Sequence, residues 1–268
     1  MTKPAGSGIV EAEFVMYPVL FSIGKFKLYS FGSFIALGTL AAGYFMYWAA
    51  RTRKLPTAPL FDLVLYTLLG GLIGARVGYY ILYQEQFQSF WQVIYFWQGG
   101  LAALPGILAG FAVFIFTLRR ENLPVWPLVD IGGISFLIAW SVGKFGCQLS
   151  TCTIGRSSNL LAINGMYAVD LLGAIWALLV AGVCYYLWTQ KKLRDGVVFF
   201  LVVEALFLGE FLLKTLKADF GEGVTRLDAT ATLTVIILTY ATFLRLHGPI
   251  FREGKLLERI KKLIPRRS

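Results

Sequence analysis

Long apolar runs recur along this chain and constrain its fold more than any other feature of the sequence. Each run reaches about 20 residues, the length at which a helix spans the hydrocarbon core of a bilayer. Hydrophobic residues make up 57% of the sequence and charged residues only 15%, a balance that one soluble core cannot bury. Because lipid cannot satisfy backbone N–H and C=O groups, each run is predicted to be helical. We therefore predict an all-α membrane protein with about seven transmembrane helices, at residues 28–50, 60–83, 100–118, 125–145, 166–188, 196–215 and 229–246.

Basic residues fall in every second connection between these runs. They follow the first, third and fifth runs and recur in the C-terminal tail, whereas the stretch 84–95 contains Glu85 as its single charged residue. Under the positive-inside rule the basic connections lie in the cytoplasm, so an odd number of spans places the N-terminus outside and the C-terminus in the cytoplasm. The chain then divides into an outer-face N-terminal segment (1–27), a seven-helix transmembrane domain (28–246) and a basic amphipathic cytoplasmic tail (247–268).

The net charge of +10 raises the alternative of a nucleic-acid-binding protein. In the tail, however, apolar residues form one stripe beside a face of lysine and arginine. This pattern is typical of a helix that lies on an anionic lipid surface. We therefore expect the membrane, and no nucleic acid, as the partner of the basic tail.

Ionisable side chains inside apolar spans are costly, so each one is a candidate for function. Arg76 lies in the second predicted span beside Gly71, Gly74 and Gly78, whose small size lets a neighbouring helix approach. Two interpretations of Arg76 are open. Its guanidinium either binds the phosphate of a phospholipid headgroup through two parallel hydrogen bonds, or forms a structural ion pair with a buried carboxylate.

Two further cations, Lys144 and Arg156, lie near the predicted outer end of the fourth span. With Arg76 they would form a cationic cluster that faces the outer leaflet. The alternative for Lys144 is that its side chain extends to the lipid headgroups, as lysines near helix ends commonly do.

Acidic residues are also present within the predicted spans. In the sixth span, Glu210 and Lys214 are four residues apart, in the order that favours an ion pair along one helix face. Glu204 has no such local partner and would meet Arg76 or Lys144. Asp170 in the fifth span is likewise without a local partner.

Three cysteines are present, an odd number that implies no disulfide framework. Cys147 and Cys152 are five residues apart, and two interpretations stay open: a disulfide on the oxidising face, or two unpaired thiols packed among helices. Neither a metal site nor a catalytic triad is indicated, because the single histidine, His247, lies at the cytoplasmic end of the last span. No cofactor is expected.

Five segments occur in an order and at spacings that resemble the bacterial prolipoprotein diacylglyceryl transferases. The segments are 17–24 (YPVLFSIG), 74–83 (GARVGYYILY), 97–110 (WQGGLAALPGILAG), 143–156 (GKFGCQLSTCTIGR) and 196–211. The resemblance implies seven membrane helices with the N-terminus outside, in the bacterial cytoplasmic membrane. It also implies transfer of a diacylglyceryl group from phosphatidylglycerol to the cysteine thiol of a lipoprotein precursor.

Several polar positions of the family are altered in this chain. The family's tyrosine, histidine and arginine are replaced by Phe31, Leu104 and Leu206. In the segment 143–156, the family's arginine is replaced by Lys144. Its two asparagines are replaced by Cys147 and Ser150, and its glutamate is replaced by Cys152. The family positions that are retained are Arg76, Gly143, Gly146, Gly155, Arg156, Tyr167 and Glu210.

The altered positions are those that would stabilise developing charge and move a proton, and losing one such group commonly lowers a rate by about two to three orders of magnitude. We therefore interpret the chain as a transferase-like protein that is catalytically degenerate. In this interpretation it binds a phosphatidylglycerol-type phospholipid, and a role as a subunit of a membrane assembly stays open. The lipid-binding residues that the resemblance implies are Arg76, Lys144, Arg156, Gly143 and Gly146.

Two alternative functions are kept. One is an active phosphatidylglycerol-dependent diacylglyceryl transferase acting on a lipoprotein precursor or another acceptor, with Glu210 and Lys144 as its catalytic residues. The other is a small membrane transporter, which only the charged residues within the membrane suggest.

Overall fold

The fold is that of a computed structural model, which describes residues 19–218 with short gaps and three residues near the C-terminus. The gaps are 24–25, 88, 96–99, 151, 159–161, 164 and 191–192, and the three additional residues are 237, 239 and 240. The first 18 residues, almost all of the predicted seventh span (229–246) and the tail (247–268) lie outside the described residues.

Six helices make up most of the described fold, and each coincides with a predicted span to within a few residues. The helices are α1 (Ser30–Thr52), α2 (Leu60–Leu82), α3 (Ala103–Arg120), α4 (Val125–Ser150), α5 (Val169–Thr189) and α6 (Val197–Lys214). The largest difference is at α4, which continues past the predicted end at residue 145 to Ser150.

Five of these helices, α1 to α5, are long and apolar enough to cross a membrane. The sixth, α6, is also apolar but carries Glu204, Glu210 and Lys214. Large apolar side chains stay exposed on the outer faces of the bundle, among them Leu40 and Phe61, as expected of surfaces that contact lipid. The described part of the chain is therefore an α-helical membrane protein.

Two short hairpins precede helices. In the first, β1 (Val19–Ile23) pairs antiparallel with β2 (Phe26–Tyr29), and β2 leads directly into α1. In the second, β3 (Ala162–Ile163) pairs with β4 (Met166–Tyr167), just ahead of α5. Both hairpins therefore lie outside the helices, at the N-terminal ends of α1 and α5.

Small residues allow α2 and α3 to pack closely. A Cβ atom added at Gly74 would clash with Ala109, and one added at Gly78 would clash with Pro105. In a membrane, such close contact between helices supplies much of the packing energy, since lipid offers no hydrophobic driving force for association. The prediction that small residues in this span let a neighbouring helix approach is confirmed.

The most buried helix is α4, which packs against α1, α5 and α6. The side chains of Leu128, Ile131 and Leu137 on α4 are fully buried. Two hydrogen bonds join the helices further along: the Ser141 hydroxyl donates to the carbonyl of Ala174 at 2.9 Å, while the indole N–H of a tryptophan in α5 donates to a carbonyl of α6. These hydrogen bonds tie α4 to α5 and α5 to α6.

An aspartate of α4 caps the N-terminus of α6. Gly196, the residue before α6, has a φ of +96°, a left-handed conformation that favours glycine. The buried Asp130 carboxylate accepts hydrogen bonds from the backbone N–H of Gly196 at 2.7 Å and of Phe199 at 2.8 Å. Two N–H groups at the start of α6 that no helical carbonyl can reach are thereby satisfied.

The C-terminal ends of α1 and α5 meet. Arg53, just after α1, donates a hydrogen bond to the carbonyl of Trp188. The guanidinium carbon of Arg53 also lies 4.3 Å from the centre of the Trp188 ring. Both helices therefore end on the same side of the bundle.

Candidate functional site

Lys144 forms the centre of an ionic cluster between three helices. Its ammonium, on α4, lies 3.4 Å from the Asp170 carboxylate of α5 and 3.2 Å from the Glu210 carboxylate of α6. We call these three side chains the ionic cluster. Asp170, expected to lack a local partner, is therefore paired through the tertiary fold. Glu210, expected to pair along α6 with Lys214, contacts Lys144 of α4.

The Lys144 side chain runs inward along α5. A Cβ atom added at Gly173 would lie 3.5 Å from both Cδ and Cε of Lys144, so this glycine makes room for the aliphatic stem. The ammonium is also 5.5 Å from the centre of the Trp140 ring. With only 12% of its side chain exposed, Lys144 does not extend freely to the headgroups, and that alternative is wrong.

Asp170 links the ionic cluster to the segment that follows α4. Its carboxylate, 2% exposed, accepts a second hydrogen bond from the hydroxyl of Thr153 at 3.2 Å. The neighbouring backbone N–H of Leu171 donates to the side-chain oxygen of Gln148 at 3.1 Å. Asp170 lies in the first turn of α5, where the positive end of the helix dipole stabilises a carboxylate.

The two carboxylates of the ionic cluster outnumber its one ammonium. With all three groups ionised, the cluster carries a net charge of −1, so a phosphate that approaches Lys144 is also repelled by the two carboxylates beside it. An anionic ligand can therefore use Lys144 only at the expense of an existing ion pair.

Arg76 occupies a separate location, where it binds backbone carbonyls. Its guanidinium is buried and donates hydrogen bonds to four carbonyl oxygens of the segment that follows α2. The acceptors are Gln92 at 2.8 Å, Tyr95 and Gly100 at 2.9 Å, and Val93 at 3.0 Å. Gln92 and Val93 lie in a short 3-10 helix, Phe90–Ile94, and the Gln92 carbonyl also accepts the N–H of Tyr95 at 3.1 Å. Arg76 adds a charged donor to each of the four carbonyls. Arg76 therefore faces the protein interior and holds the connection between α2 and α3.

The remaining residues of the predicted lipid site differ in their surroundings. Arg156 is exposed, and its backbone joins both neighbouring segments: its N–H donates to Leu216 at 2.9 Å and its carbonyl accepts from Tyr167 at 3.0 Å. A Cβ atom at Gly146 would lie 2.5 Å from Cβ of Phe34, so this glycine serves the contact of α4 with α1. A Cβ atom at Gly143 would meet nothing within 4 Å, so open space lies beside the residue that precedes Lys144.

The structure thus brings together Lys144 and Glu210 and adds Asp170, which the sequence analysis did not place in the site. The sequence signal that could have placed Asp170 in the site is its charge, since it lies in the first turn of a membrane-spanning helix. Arg76 makes its contacts with a different segment, and the cationic cluster of Arg76, Lys144 and Arg156 stays a prediction. The charges that suggested a transporter are Glu204, Asp170 and Arg76, and of these Asp170 and Arg76 have structural partners.

Apolar side chains stand at two positions where the resembled family is polar. Leu104, in the first turn of α3, is 56% exposed. Leu206, on α6, packs against the hydrophobic core of the bundle. Neither side chain can donate or accept a hydrogen bond, so neither can stabilise charge or transfer a proton.

The two nearby cysteines are thiols in this structure. Cys147 lies in the last turns of α4 and Cys152 just beyond its end. Among the described residues, no three His, Cys, Asp or Glu side chains are grouped so that they would hold a metal ion.

Comparison with known sequences gives a family match over most of the chain. A profile described as "Prolipoprotein diacylglyceryl transferase" matches residues 18–246. A Clostridium perfringens protein, "Phosphatidylglycerol--prolipoprotein diacylglyceryl transferase 1", is 30% identical over 224 residues, which cover 76% of this chain and 84% of that protein. Proteins with the same name, without the number, are 28% identical over 266 residues in Staphylococcus aureus (92% of this chain, 94% of that protein) and 25% identical over 247 residues in Nostoc (84% and 87%).

Proposed function

The chain belongs to the prolipoprotein diacylglyceryl transferase family, and on that premise we propose that it binds a phosphatidylglycerol-type phospholipid without transferring its diacylglyceryl group. It is a multi-pass protein of the bacterial cytoplasmic membrane. The relatives are named for their action on phosphatidylglycerol and a prolipoprotein. Our proposal assigns the first of these ligands, and not the second, to this chain.

The ionic cluster is the observation that carries the proposal. In transfer of a diacylglyceryl group, the bond that breaks leaves a phosphate that gains negative charge, so a catalyst needs a cation aimed at that phosphate. Lys144 is held at 3.2 Å and 3.4 Å by two carboxylates, which neutralise it before any substrate arrives. A lysine in this state adds little stabilisation to a developing negative charge.

The apolar substitutions support the same conclusion. Leu104 and Leu206 offer no hydrogen bonds, and losing one stabilising donor commonly lowers a rate by about two to three orders of magnitude. Two such losses together with a neutralised Lys144 would leave transfer slower than a cell can use.

Binding of phospholipid has less stringent requirements, because affinity depends on charge and shape rather than on the transition state. Arg156 is exposed, and its guanidinium has the planar geometry that suits a phosphate. The open space beside Gly143 gives room for a headgroup near the end of α4. In the proposed site, Arg156 supplies the attraction, Gly143 the space, and Gly146 the packing of α4 on α1.

A second candidate is an active transferase, which one feature of the ionic cluster favours. The side chain of Glu210 is 28% exposed, in contrast to the buried Asp170, and its carboxylate lies 3.2 Å from Lys144. A partly exposed carboxylate beside an ammonium can accept the proton of an acceptor thiol. In this candidate Glu210 is the base and Lys144 balances its charge.

Lipid transfer in cells separates the two candidates. The gene is expressed in bacteria depleted of their own transferase, with the Staphylococcus aureus relative as the positive control. We expect no rescue of growth and no lipidated precursor on a gel. Rescue by this chain, lost again in Glu210→Gln, would establish the second candidate and overturn the first.

Binding is tested on the purified protein by measuring the phospholipids that co-purify with it. We expect phosphatidylglycerol to be enriched over phosphatidylethanolamine, and Arg156→Ala to reduce that enrichment. Arg120→Ala, at the far end of α3, is the matched control and should leave it unchanged. Equal recovery of the two lipids from the unaltered protein would remove the binding half of the proposal.

We further propose seven spans with the N-terminus outside, divided at residues 27 and 246 as the sequence suggests. The meeting of Arg53 with Trp188 supports this orientation, since α1 and α5, whose following connections are basic, end on one side. The seventh span rests on the apolar run 229–246 alone.

A further inference from the structure

The end of α4 brings two cysteines together through the backbone. The helix ends at Ser150, and the N–H of Cys152 donates a hydrogen bond to the carbonyl of Cys147 at 3.1 Å. A bond between residues five apart is typical of the turn that closes a helix C-terminus, where the side chains of those two positions usually touch. Both positions are cysteine here.

This hydrogen bond limits how far apart the two cysteines lie. The path from one Cα to the other runs through a carbonyl, the 3.1 Å hydrogen bond and an N–Cα bond, so the Cα atoms are at most about 7 Å apart. Disulfides usually span Cα distances of about 4.4 to 6.8 Å. The turn therefore brings the two sulfurs within bonding reach without a rearrangement of the helices.

The chain is held by contacts between the two cysteines and directly after them. Between them, the side chain of Gln148 accepts the N–H of Leu171 at 3.1 Å. After Cys152, Thr153 donates to Asp170 at 3.2 Å and the carbonyl of Ile154 accepts the N–H of Ala218 at 3.0 Å. Since these contacts tie the chain to α5 and to the end of α6, closing a bond between the sulfurs costs little additional chain entropy.

The two thiols differ in accessibility. Cys152 is exposed, Cys147 is partly buried, and the third cysteine, Cys184, is buried on α5. An exposed thiol can meet an external disulfide, whereas a partly buried neighbour can reach only the sulfur beside it. These accessibilities suit Cys152 to the role of the attacking cysteine and Cys147 to that of the resolving cysteine.

We propose that Cys147 and Cys152 form a thiol–disulfide exchange pair, with Cys152 as the attacking thiol and an accessible disulfide, R–S–S–R, as its partner. The thiolate of Cys152 attacks one sulfur of the partner, so a Cys152–S–S–R bond forms and the other R–S⁻ leaves. The thiolate of Cys147 then attacks the sulfur of Cys152, releasing the second R–S⁻ and forming Cys147–S–S–Cys152. Two electrons pass from the cysteines to the partner, and the two thiol protons go to the released thiolates.

The electrostatics of Cys152 favour this order. The Cys147 thiol, hydrogen-bonded to the sulfur of Cys152, holds the pKa of Cys152 below its ordinary value. The charge of Lys144 acts in the same direction, while burial and the Asp170 carboxylate oppose both effects. The thiolate, which is the attacking form, is therefore more populated at neutral pH than that of an ordinary cysteine.

The test uses the full chain in lipid vesicles with glutathione disulfide as the probe. After reaction, remaining thiols are blocked with a maleimide, and peptides are mapped by mass spectrometry with and without reduction. We expect loss of two free thiols and a peptide pair linked through Cys147 and Cys152. Cys184 should remain a free thiol, and Cys184→Ser should leave the reaction unchanged.

Two variants test the assigned order. Cys147→Ser should stop the reaction at a stable glutathione adduct on Cys152, because nothing resolves the mixed disulfide. Cys152→Ser should abolish formation of any adduct. Phenylarsine oxide, which bridges neighbouring thiols, should protect both cysteines in the unaltered protein and neither in the two variants.

Three results would overturn the proposal. They are absence of the linked peptide pair, equal adduct formation at Cys147 and Cys152 in the single variants, and failure of phenylarsine oxide to protect the pair. None of these readouts depends on phospholipid binding or transfer. The experiment therefore tests the thiol–disulfide exchange pair independently of the proposed function.

Discussion

The Lys144 ammonium lies 3.2 Å from the Glu210 carboxylate, which joins the C-terminal part of α4 to α6. Asp170 contacts the same ammonium from α5, so a single lysine connects three helices. A buried ion pair contributes little net stability by itself, because desolvation offsets attraction, but removing one partner leaves unpaired charge. Loss of Lys144 therefore destabilises the protein, because two carboxylates would remain without their counter-ion.

Replacing Lys144 with methionine should destabilise the protein by about 3 kcal/mol or more, because the buried Asp170 would lose its counter-ion. The measurement is thermal unfolding in detergent. Lys144→Arg, which keeps the charge, is the matched control and should lose much less. Adding Asp170→Asn and Glu210→Gln to Lys144→Met should restore part of the loss, and equal melting of all variants would contradict the pairing.

Replacing Arg76 should loosen the connection between α2 and α3. Four carbonyls lose a charged donor, and hydrogen bonds to charged groups are worth about 1.5 to 3 kcal/mol each. Arg76→Lys should fail to compensate, since an ammonium cannot reproduce the planar fork of a guanidinium. Hydrogen exchange of the backbone around Gln92 and Val93 measures this, and unchanged protection in Arg76→Ala would contradict the assignment.

Gly74→Ala should separate α2 from α3, because the added methyl group would clash with Ala109. Overpacking of this kind typically costs about 1 to 3 kcal/mol. The matched control is Gly182→Ala on α5, where an added Cβ meets nothing within 4 Å and the helix should be slightly stabilised. Both variants are compared by thermal unfolding, and a Gly74→Ala protein as stable as the control would argue against the close contact.

Cys152 should react with iodoacetamide at a lower pH than an ordinary cysteine, whose pKa is about 8.5. The pKa of Cys152 is lowered chiefly by the hydrogen bond from Cys147, so the reactive thiolate persists as pH falls below the ordinary range. Peptide mass spectrometry after brief alkylation gives the pH profile. Cys147→Ala should move the midpoint of this pH profile upward. An unchanged profile in Cys147→Ala would show that the hydrogen bond from Cys147 does not lower the pKa of Cys152.

Labelling of introduced cysteines should report the proposed orientation. In a background without the three native cysteines, a membrane-impermeant maleimide applied from outside should label a cysteine at Gln86. It should reach one at Lys54 only after the cells are opened, because that connection is basic and placed in the cytoplasm. Labelling of position 54 in intact cells would reverse the orientation.

The helices could be predicted from the sequence because hydrophobic length is a local property. The predicted second span, 60–83, differs from α2 by one residue at its end. The end of α4 was less predictable, since the chain turns polar after residue 145 while the helix continues to Ser150. Residues 146–150 are buried or half-buried against the rest of the protein, and packed polar residues can remain helical there.

The partners of the charged residues were harder to predict. Spacing along one helix suggested that Glu210 pairs with Lys214, but pairing with Lys144 depends on how α4, α5 and α6 meet. Lys144 and Asp170 are 26 residues apart in sequence, and no local pattern relates them. Arg76 shows a different limit: its acceptors are backbone carbonyls, which every residue has and which no residue type identifies.

The cap that Asp130 provides for α6 also constrains how the nascent chain is assembled. Asp130 is synthesised 66 residues before Gly196, so α4 must enter the bilayer while its carboxylate still lacks the N–H groups that later satisfy it. A bare carboxylate in a span is expensive, and delay or partial hydration of α4 at the insertion machinery is the expected result. Completion of the bundle therefore waits for translation of α6, and a ribosome stalled before residue 196 should leave α4 exposed to quality-control proteases.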